Sequence, residues 1–418
     1  MQTLLNALGS RIIKRGNVAI DYADGAKQRF GDGSGPLIGI KFTDSRGPFD
    51  LVRNPEMALG ELYTDGRLVM TSGTILDFLH VVMSNAIRRA PPLPMRAMFA
   101  VRGLGSKIWR NERSASRANV AHHYDLDGRL YDLFLDRDRQ YSCAYFERPD
   151  MGIDEAQLAK KRHIAAKLMI DPGHRTLDIG SGWGGMALYL ARHCGADVTG
   201  ITLSTEQLGM AGVRAEKAGV ADRVRFRLED YRDTQGPFDR VVSVGMFEHV
   251  GAAHYDAFFA KLAGLLSEDG VALLHTIGRP DRPGATNAWI SKYIFPGATI
   301  PSLSQIAASV EKAGLYITDV EVLRMHYAET LKAWRERFLA RRDEAKALYD
   351  ERFCRMWEFY LSLTELAFRV EGECVFQLQI ARRHDAVPIT RAYIEEREAK
   401  LRALDANDLS LESAVAAE

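Results

Sequence analysis

The run DIGSGWGG, residues 178–185, sets Gly180, Gly182 and Gly184 at alternate positions behind a short aliphatic stretch and ahead of a helix-forming one. Glycines so placed let backbone approach a ligand at a helix N-terminus, which suits a nucleotide or nucleoside. The residues beyond the loop narrow the ligand. A dinucleotide site wants an acid about 20 residues further on to hold the ribose, whereas this chain has TLSTEQ, with Thr202 and Ser204 at that point. No GK[ST] comes after the loop, which removes the phosphate grip of an ATPase. S-adenosylmethionine remains: it carries no phosphates, so the loop needs only to admit its methionine moiety and ribose. Asp230 is placed to accept from an adenine amino group, with Tyr231 as an apolar wall; the plainer role for Asp230 is a turn or helix cap. VSVGMFEHVG brings Glu248 and His249, and LLHTIG brings His275, to the ends of two further aliphatic runs. A carboxylate and an imidazole beside a nucleoside loop are the groups proton transfer needs. Taken alone, His275 reads as a satisfied core histidine.

These residues fall where they do because of the elements around them. From Arg175 onward, aliphatic runs alternate with helical segments, the pattern of a parallel sheet wrapped by helices. Seven strands are predicted, at 175–179, 197–203, 223–228, 238–244, 270–276, 315–323 and 374–381. Ligands of open α/β sheets sit beyond the carboxyl ends of the strands, and the glycine loop, Glu248 and His275 all occupy such ends. Between the fifth and sixth strands a Gly/Pro-rich stretch, GRPDRPGATNAWISKYIFPGATIPS, reads as a cover over the site. A helical block from 328 to 370 carries many aromatics. The first ~115 residues lack the alternation, and EMALGELYTDGRLVM reads as a helix with hairpin-like elements. The expected organisation is an N-terminal domain at 1–115, a catalytic domain at 116–385 and a charged tail at 386–418, a helix whose end frays.

The composition is that of an ordinary globular protein: 55 Lys+Arg against 55 Asp+Glu, and 46% hydrophobic residues. Global charge gives no reason to expect a nucleic-acid partner. The segment from Phe78 to Asn111 has no acid, while Arg88, Arg89, Arg96, Arg102, Lys107 and Arg110 are interleaved with apolar residues. Such a segment can lie on an anionic membrane surface, or form a solvated face of its own domain. No apolar run reaches the ~20 residues that span a bilayer, and MQTLLNALGSRIIKRG has the wrong order of charge for a signal peptide. A cytoplasmic protein is expected. Its four cysteines show neither CxxC spacing nor a disulfide density, and no metal site is expected.

YSCAYFE, DIGSGWGG, TLSTEQ, VSVGMFEHVG, LLHTIG and KYIFPG, in this order, resemble the cyclopropane-fatty-acyl-phospholipid synthases and their mycolic-acid relatives, from about Ala121 to about Gln379. The resemblance implies an α/β, seven-stranded doubly wound methyltransferase sheet (Rossmann-like), preceded by a small α+β lipid-binding domain. It implies S-adenosylmethionine contacts at Tyr141, Ser142, Asp178, Gly180, Gly182, Trp183 and Gly184, at Thr202, Leu203, Ser204 and Gln207, and at Asp230, Tyr231 and Arg232. It further implies a bicarbonate ion held by Cys143, Glu248, His275, the backbone at Ile277, and Tyr327. The implied partner is a membrane phospholipid with unsaturated acyl chains, met peripherally at the inner face of the membrane, and the implied assembly is a homodimer. Cys143 is then an anion contact. Where some relatives carry a cysteine once proposed as nucleophile, YLSLTELAFR has Thr364, and Cys354 reads as helix packing.

The implied chemistry transfers a methyl group to an alkene, a weak nucleophile that must be aligned and kept dry. A carbocation results, for which Phe247, Tyr293, Phe295, Tyr327 and Trp334 offer aromatic faces. Proton loss from the added methyl, to bicarbonate or directly to Glu248 or His275, closes the ring. Three alternatives stand beside this reading: a methylene- or methyl-branched product, a small-molecule methyltransferase, and a lipid-binding protein with a relic nucleoside fold.

Overall fold

The computed structural model describes residues 2–86 and 126–415, with side chains to Ala406. Its larger sheet is built from the seven runs the sequence marks, as β5 (Arg175–Ile179), β6 (Asp197–Thr202), β7 (Val224–Leu228), β8 (Phe238–Val244), β9 (Leu266–Gly278), β10 (Tyr316–Leu323) and β11 (Cys374–Ala381). The order is β10-β11-β9-β8-β5-β6-β7. Strands β5 to β9 pair in parallel, and β11 runs antiparallel to both β9 and β10, so the sheet is mixed. Order reverses outward from β5, and that crevice is where an open sheet binds ligands. Every residue of β11 is buried. That burial explains the near-continuous apolar run there, and it makes the two glutamines within it, Gln377 and Gln379, conspicuous.

The amino-terminal part carries a four-stranded sheet of order β2-β1-β3-β4, from β1 (Asn17–Asp21), β2 (Lys27–Phe30), β3 (Leu37–Phe42) and β4 (Leu68–Ser72). Helices Gln2–Ile12, Gly47–Arg53, Pro55–Thr64 and Ile75–Ala86 surround it. This small α+β unit shares a core with the aromatic helices His326–Ala340 and Glu351–Leu366, through residues such as Leu62, Tyr63, Phe78, Trp334 and Trp357. Of the acid-free basic segment, only 78–86 belong to a described helix; Arg88, Arg89, Arg96, Arg102, Lys107 and Arg110 lie outside the described residues.

The charged carboxy-terminal segment forms helix Ala392–Val415, which packs along helix Ile153–Leu168. The Arg162–Asp405 pair, 2.5 Å apart and nearly inaccessible on both sides, anchors it together with Glu398 to His163 and Arg402 to Glu147. Composition hid this: the helix is rich in charge, and its buried residues mix two apolar side chains, Ile394 and Leu401, two turns apart, with the ion-paired Asp405 rather than forming a continuous apolar stripe. The cover, for its part, contains a short helix, Ala288–Tyr293, with Trp289 fully buried. Among the described residues no helix is long and apolar enough to cross a membrane.

Candidate active site

The loop after β5 turns through three glycines with φ of 83°, 54° and 87° at Gly180, Gly182 and Gly184, a region other residues enter at a cost. Gly180 N and Ser181 N donate to Ile201 O at 3.0 and 2.9 Å, tying the loop to β6. The turn leaves a cavity bordered by Tyr141, Ser142, Asp178, Gly180, Gly182, Trp183, Thr202, Leu203, Gln207, Asp230, Tyr231 and Arg232. Twelve of the fourteen residues assigned to the cofactor therefore share one wall. Gly184 and Ser204 do not border it. Gly184 is the cap of helix Gly185–Cys194, where an added Cβ would meet the Phe226 ring at 2.7 Å, and Ser204 caps helix Thr205–Lys217 by accepting from Gln207 N at 3.3 Å. Asp230 combines its two sequence readings: it lines the cavity and also closes a turn, accepting from Arg232 N at 3.0 Å and Arg232 Nε at 2.8 Å.

Three titratable groups, Asp178 and Lys160 buried and His249 half-buried, shape the electrostatics at the cavity. Asp178 is pushed up to about 7 by burial, and its Oδ2 has no hydrogen-bond partner. Lys160 is pushed down to about 8, also by burial; its Nζ donates to Ser142 Oγ at 2.8 Å and to Gln140 Oε1 at 2.9 Å, which fixes the start of the 141–146 segment. His249, on the cavity wall, is pushed down by burial to about 4 and is neutral at physiological pH. Sequence reasoning missed Lys160 altogether. Its signal was faint, since AKKRHIAAKL offers four cations on one helix, all of them buried, and only the fold shows which of them reaches Ser142.

Beside the cavity lies a second, drier group. Glu248 sits in the turn after β8, and its Oε1 accepts from Ile277 N at 2.6 Å. Burial pushes its carboxyl up to about 6, and its Oε2 has no partner. His275, on β9 and two residues from Ile277, takes Gln377 Nε2 at its Nδ1, 3.1 Å away, while its Nε2 is buried without a partner. Burial holds this imidazole well below its ordinary range, helped by Lys160, Lys167, His163 and His326 nearby. Gly245 N donates to His275 O at 2.9 Å, so the cavity wall and this group are one backbone hydrogen bond apart. Cys143 continues from Ser142 into the interior. Its thiol donates to Ala144 O at 3.3 Å, and burial drives it far above the usual thiol range, so it stays protonated and is a poor nucleophile. Tyr327 opens the helix whose Thr330 Oγ1 accepts from Ala144 N at 3.0 Å, and its ring meets Trp334 and Phe368. Cys143, Glu248, His275, Ile277 and Tyr327 thus come from four separate stretches of chain, and none borders the cavity itself.

The aromatic candidates divide. Trp334, itself wholly buried, lies against Tyr141, which lines the cavity, and against Tyr327 and Phe134, while Phe295 lies against Tyr360. Phe247 is instead core, packed on Tyr255, Phe258 and Phe259, and Tyr293 OH donates to Glu61 at 2.7 Å, facing the amino-terminal unit. Thr364 donates to Tyr360 O at 2.8 Å within its helix, and Cys354 is fully buried.

The sequence profile of the family described as mycolic acid cyclopropane synthetase matches residues 111–378, well over half of the chain. The chain belongs to this family. Residues 8–88 match a second family, described only as a domain of unknown function, DUF7884. Among curated relatives, the chain is 39% identical over 350 residues to the cyclopropane-fatty-acyl-phospholipid synthase of Escherichia coli (strain K12), covering 80% of this chain and 88% of that one. It is 44% identical over 257 residues to a probable fatty acid methyltransferase of Pseudomonas putida, covering 60% of this chain and 65% of that relative. Among solved structures, mycolic acid cyclopropane synthase CmaA1, complexed with SAH and CTAB, aligns with a TM-score of 0.61 at 35% identity, over 63% of this chain and 98% of that one. As a cyclopropane synthetase family member, the protein is an S-adenosylmethionine-dependent methyltransferase with the methyltransferase fold.

Proposed function

We propose that the protein transfers the methyl group of S-adenosylmethionine to the cis double bond of an unsaturated acyl chain of a membrane phospholipid, and that proton loss to a bound bicarbonate closes a cyclopropane ring. One observation carries the reading: two buried polar atoms, Glu248 Oε2 and His275 Nε2, stand without partners at the ends of adjacent strands beside the nucleoside cavity. Buried polar atoms are nearly always satisfied, and exceptions point to function or to a missing ligand. A small planar oxyanion that both donates and accepts fits this pair, because a carboxylate only accepts and a neutral imidazole carries one N–H.

S-adenosylmethionine, when bound, supplies an electrophilic methyl group, and bicarbonate supplies a base with no side-chain reorganisation. The residues do the rest. Asp178 offers a carboxylate to the cationic ligand. Ser142, set by Lys160, and Tyr141, whose OH lies 2.8 Å from that of Tyr360, shape the wall between cofactor and acyl chain. Trp334 and Tyr327 present aromatic faces where positive charge develops. Burial of Glu248, His275 and Cys143 excludes water that would quench a cation. The substrate requires action at a bilayer surface, and a peripheral, homodimeric enzyme on the inner face of the membrane is part of the same proposal.

The test is incubation with methyl-labelled S-adenosylmethionine and liposomes bearing cis-unsaturated phospholipid, with and without bicarbonate, and mass spectrometry of the lipid. A labelled product that resists mild hydrogenation and depends on bicarbonate is expected. A product that takes up hydrogen would instead show a methylene branch, the outcome that the fatty acid methyltransferase relative keeps in play. No lipid labelling at all would overturn both.

A further inference from the structure

His275 on β9 lies directly across the antiparallel ladder from Gln377 on β11. Both side chains are buried, and beneath them the wholly buried Lys167 rises from helix Ile153–Leu168. Lys167 Nζ lies 2.9 Å from Gln377 Oε1 and forms an ion pair with Glu321, whose carboxyl is held below its ordinary range with His163 and Lys167 as its partners. His163 Nε2 lies 2.7 Å from the same Glu321, and its other nitrogen meets Glu398 at 2.5 Å, from the carboxy-terminal helix.

Donor and acceptor roles propagate along this row without freedom. An ammonium can only donate, so the oxygen of the Gln377 amide must face Lys167. The amide nitrogen then faces the imidazole, and it too can only donate. His275 Nδ1 must therefore offer a lone pair. A neutral imidazole has one proton, which is left on Nε2, the atom without a protein partner. A fixed outer partner is how proteins choose a histidine tautomer.

We propose that Lys167 and Gln377 are positioning residues that lock His275 in its Nε2–H tautomer, so that it donates a hydrogen bond to the anion accommodated beside Glu248. The donor role rests on the bicarbonate reading above; the tautomer does not. In this arrangement His275 cannot itself abstract the ring-closing proton, because the nitrogen facing the site already bears one.

The experiment uses the full chain labelled with 15N-histidine, with the His275 resonances assigned by their loss in His275→Asn. Two-bond 1H–15N correlations between about pH 6 and 8 should show a neutral ring protonated at Nε2. In Gln377→Glu the carboxylate accepts from the ring, so Nδ1 should become protonated. The KM for bicarbonate should then rise by about tenfold or more, the weight of one charge-assisted hydrogen bond, with the Kd for S-adenosylmethionine within about twofold. Gln377→Met, which packs without polarity, should leave a mixture of tautomers. A wild-type ring protonated at Nδ1 overturns the proposal whether or not any variant folds. So does a Gln377→Glu enzyme whose tautomer inverts without changing the bicarbonate KM. A wild-type enzyme with the Nε2–H tautomer and no response to bicarbonate would sink the anion reading and the donor role together, and leave the tautomer standing.

Discussion

Glu248 illustrates how a residue's role depends on what it lacks. One carboxylate oxygen is spent on Ile277 N and the other has nothing, so burial raises the group to about 6. Above that pH it is an acceptor, and below it a donor of the wrong polarity, so lipid labelling should fall as pH drops through about 6. Glu248→Gln should lose the acceptor at every pH and lower ring closure by about a hundredfold or more, the range of a general acid–base contribution, while S-adenosylmethionine still binds; an unimpaired Gln variant would show that this carboxylate takes no part. Asp178 makes a separate prediction. Its carboxyl sits near 7 because it is buried, and a cationic ligand stabilises only the ionised form. Binding must then expel a proton, and affinity should rise with pH from about 6 to 8, by up to about tenfold per unit below 7. Calorimetry in buffers of different ionisation enthalpy measures that proton directly, and Asp178→Asn should remove it. The sequence disclosed both acids, since each lies at or just beyond the end of a strand. It did not disclose Gln377 or Lys167, whose meaning depends on register across β9 and β11. The readable clue was a glutamine pair inside an otherwise apolar strand.

At the scale of elements, strand recognition succeeded because β5 and β8 are short aliphatic runs with clear breakers. The carboxy-terminal helix reads as a charged helix, but its docking site is not legible, because its buried face mixes Ile394 and Leu401 with the ion-paired Asp405. Two apolar residues among charges make too weak a hydrophobic period to announce what 386–418 packs against. The fold supplies the missing partner: Arg162, Glu147 and His163 on or beside helix Ile153–Leu168, the helix that also carries Lys160 and Lys167. Removing one member of a buried pair leaves its partner charged and dry, at a cost of about 3–5 kcal/mol. Asp405→Ala should therefore lower unfolding free energy by about 3 kcal/mol in urea titration, and it also frees Tyr189 OH, which donates to Asp405 Oδ1 at 3.1 Å. A loss under about 1 kcal/mol would mean that the helix is held by its other contacts.

The whole molecule closes through its cover. Helix Pro55–Thr64 of the amino-terminal unit grips helix Ala288–Tyr293: Glu56 Oε1 accepts from Ala288 N at 2.6 Å, and Glu61 Oε1 from Lys292 Nζ and Tyr293 OH, both at 2.7 Å. Trp289 fills the joint between Gly60 and Phe359, with ring centroids 4.7 Å apart at the latter. A few residues on, Pro296 and Gly297 form part of the cavity wall, and Thr299 N donates to Glu248 O at 2.8 Å. The small unit therefore touches the chemistry at one remove, by holding the segment that walls the cavity and steadies Glu248. Gly60 is where this coupling can be loosened without touching the site, since a Cβ there would collide with the indole of Trp289. Gly60→Val should cost about 1–3 kcal/mol of stability by overpacking. Through the displaced cover it should also raise the Kd for S-adenosylmethionine and lower lipid labelling by a larger factor than the stability loss explains at a temperature where the variant remains folded. Thermal unfolding paired with calorimetry separates the two effects. Weaker folding with unchanged cofactor affinity would mean that the amino-terminal unit braces the fold and leaves the cavity wall to hold itself.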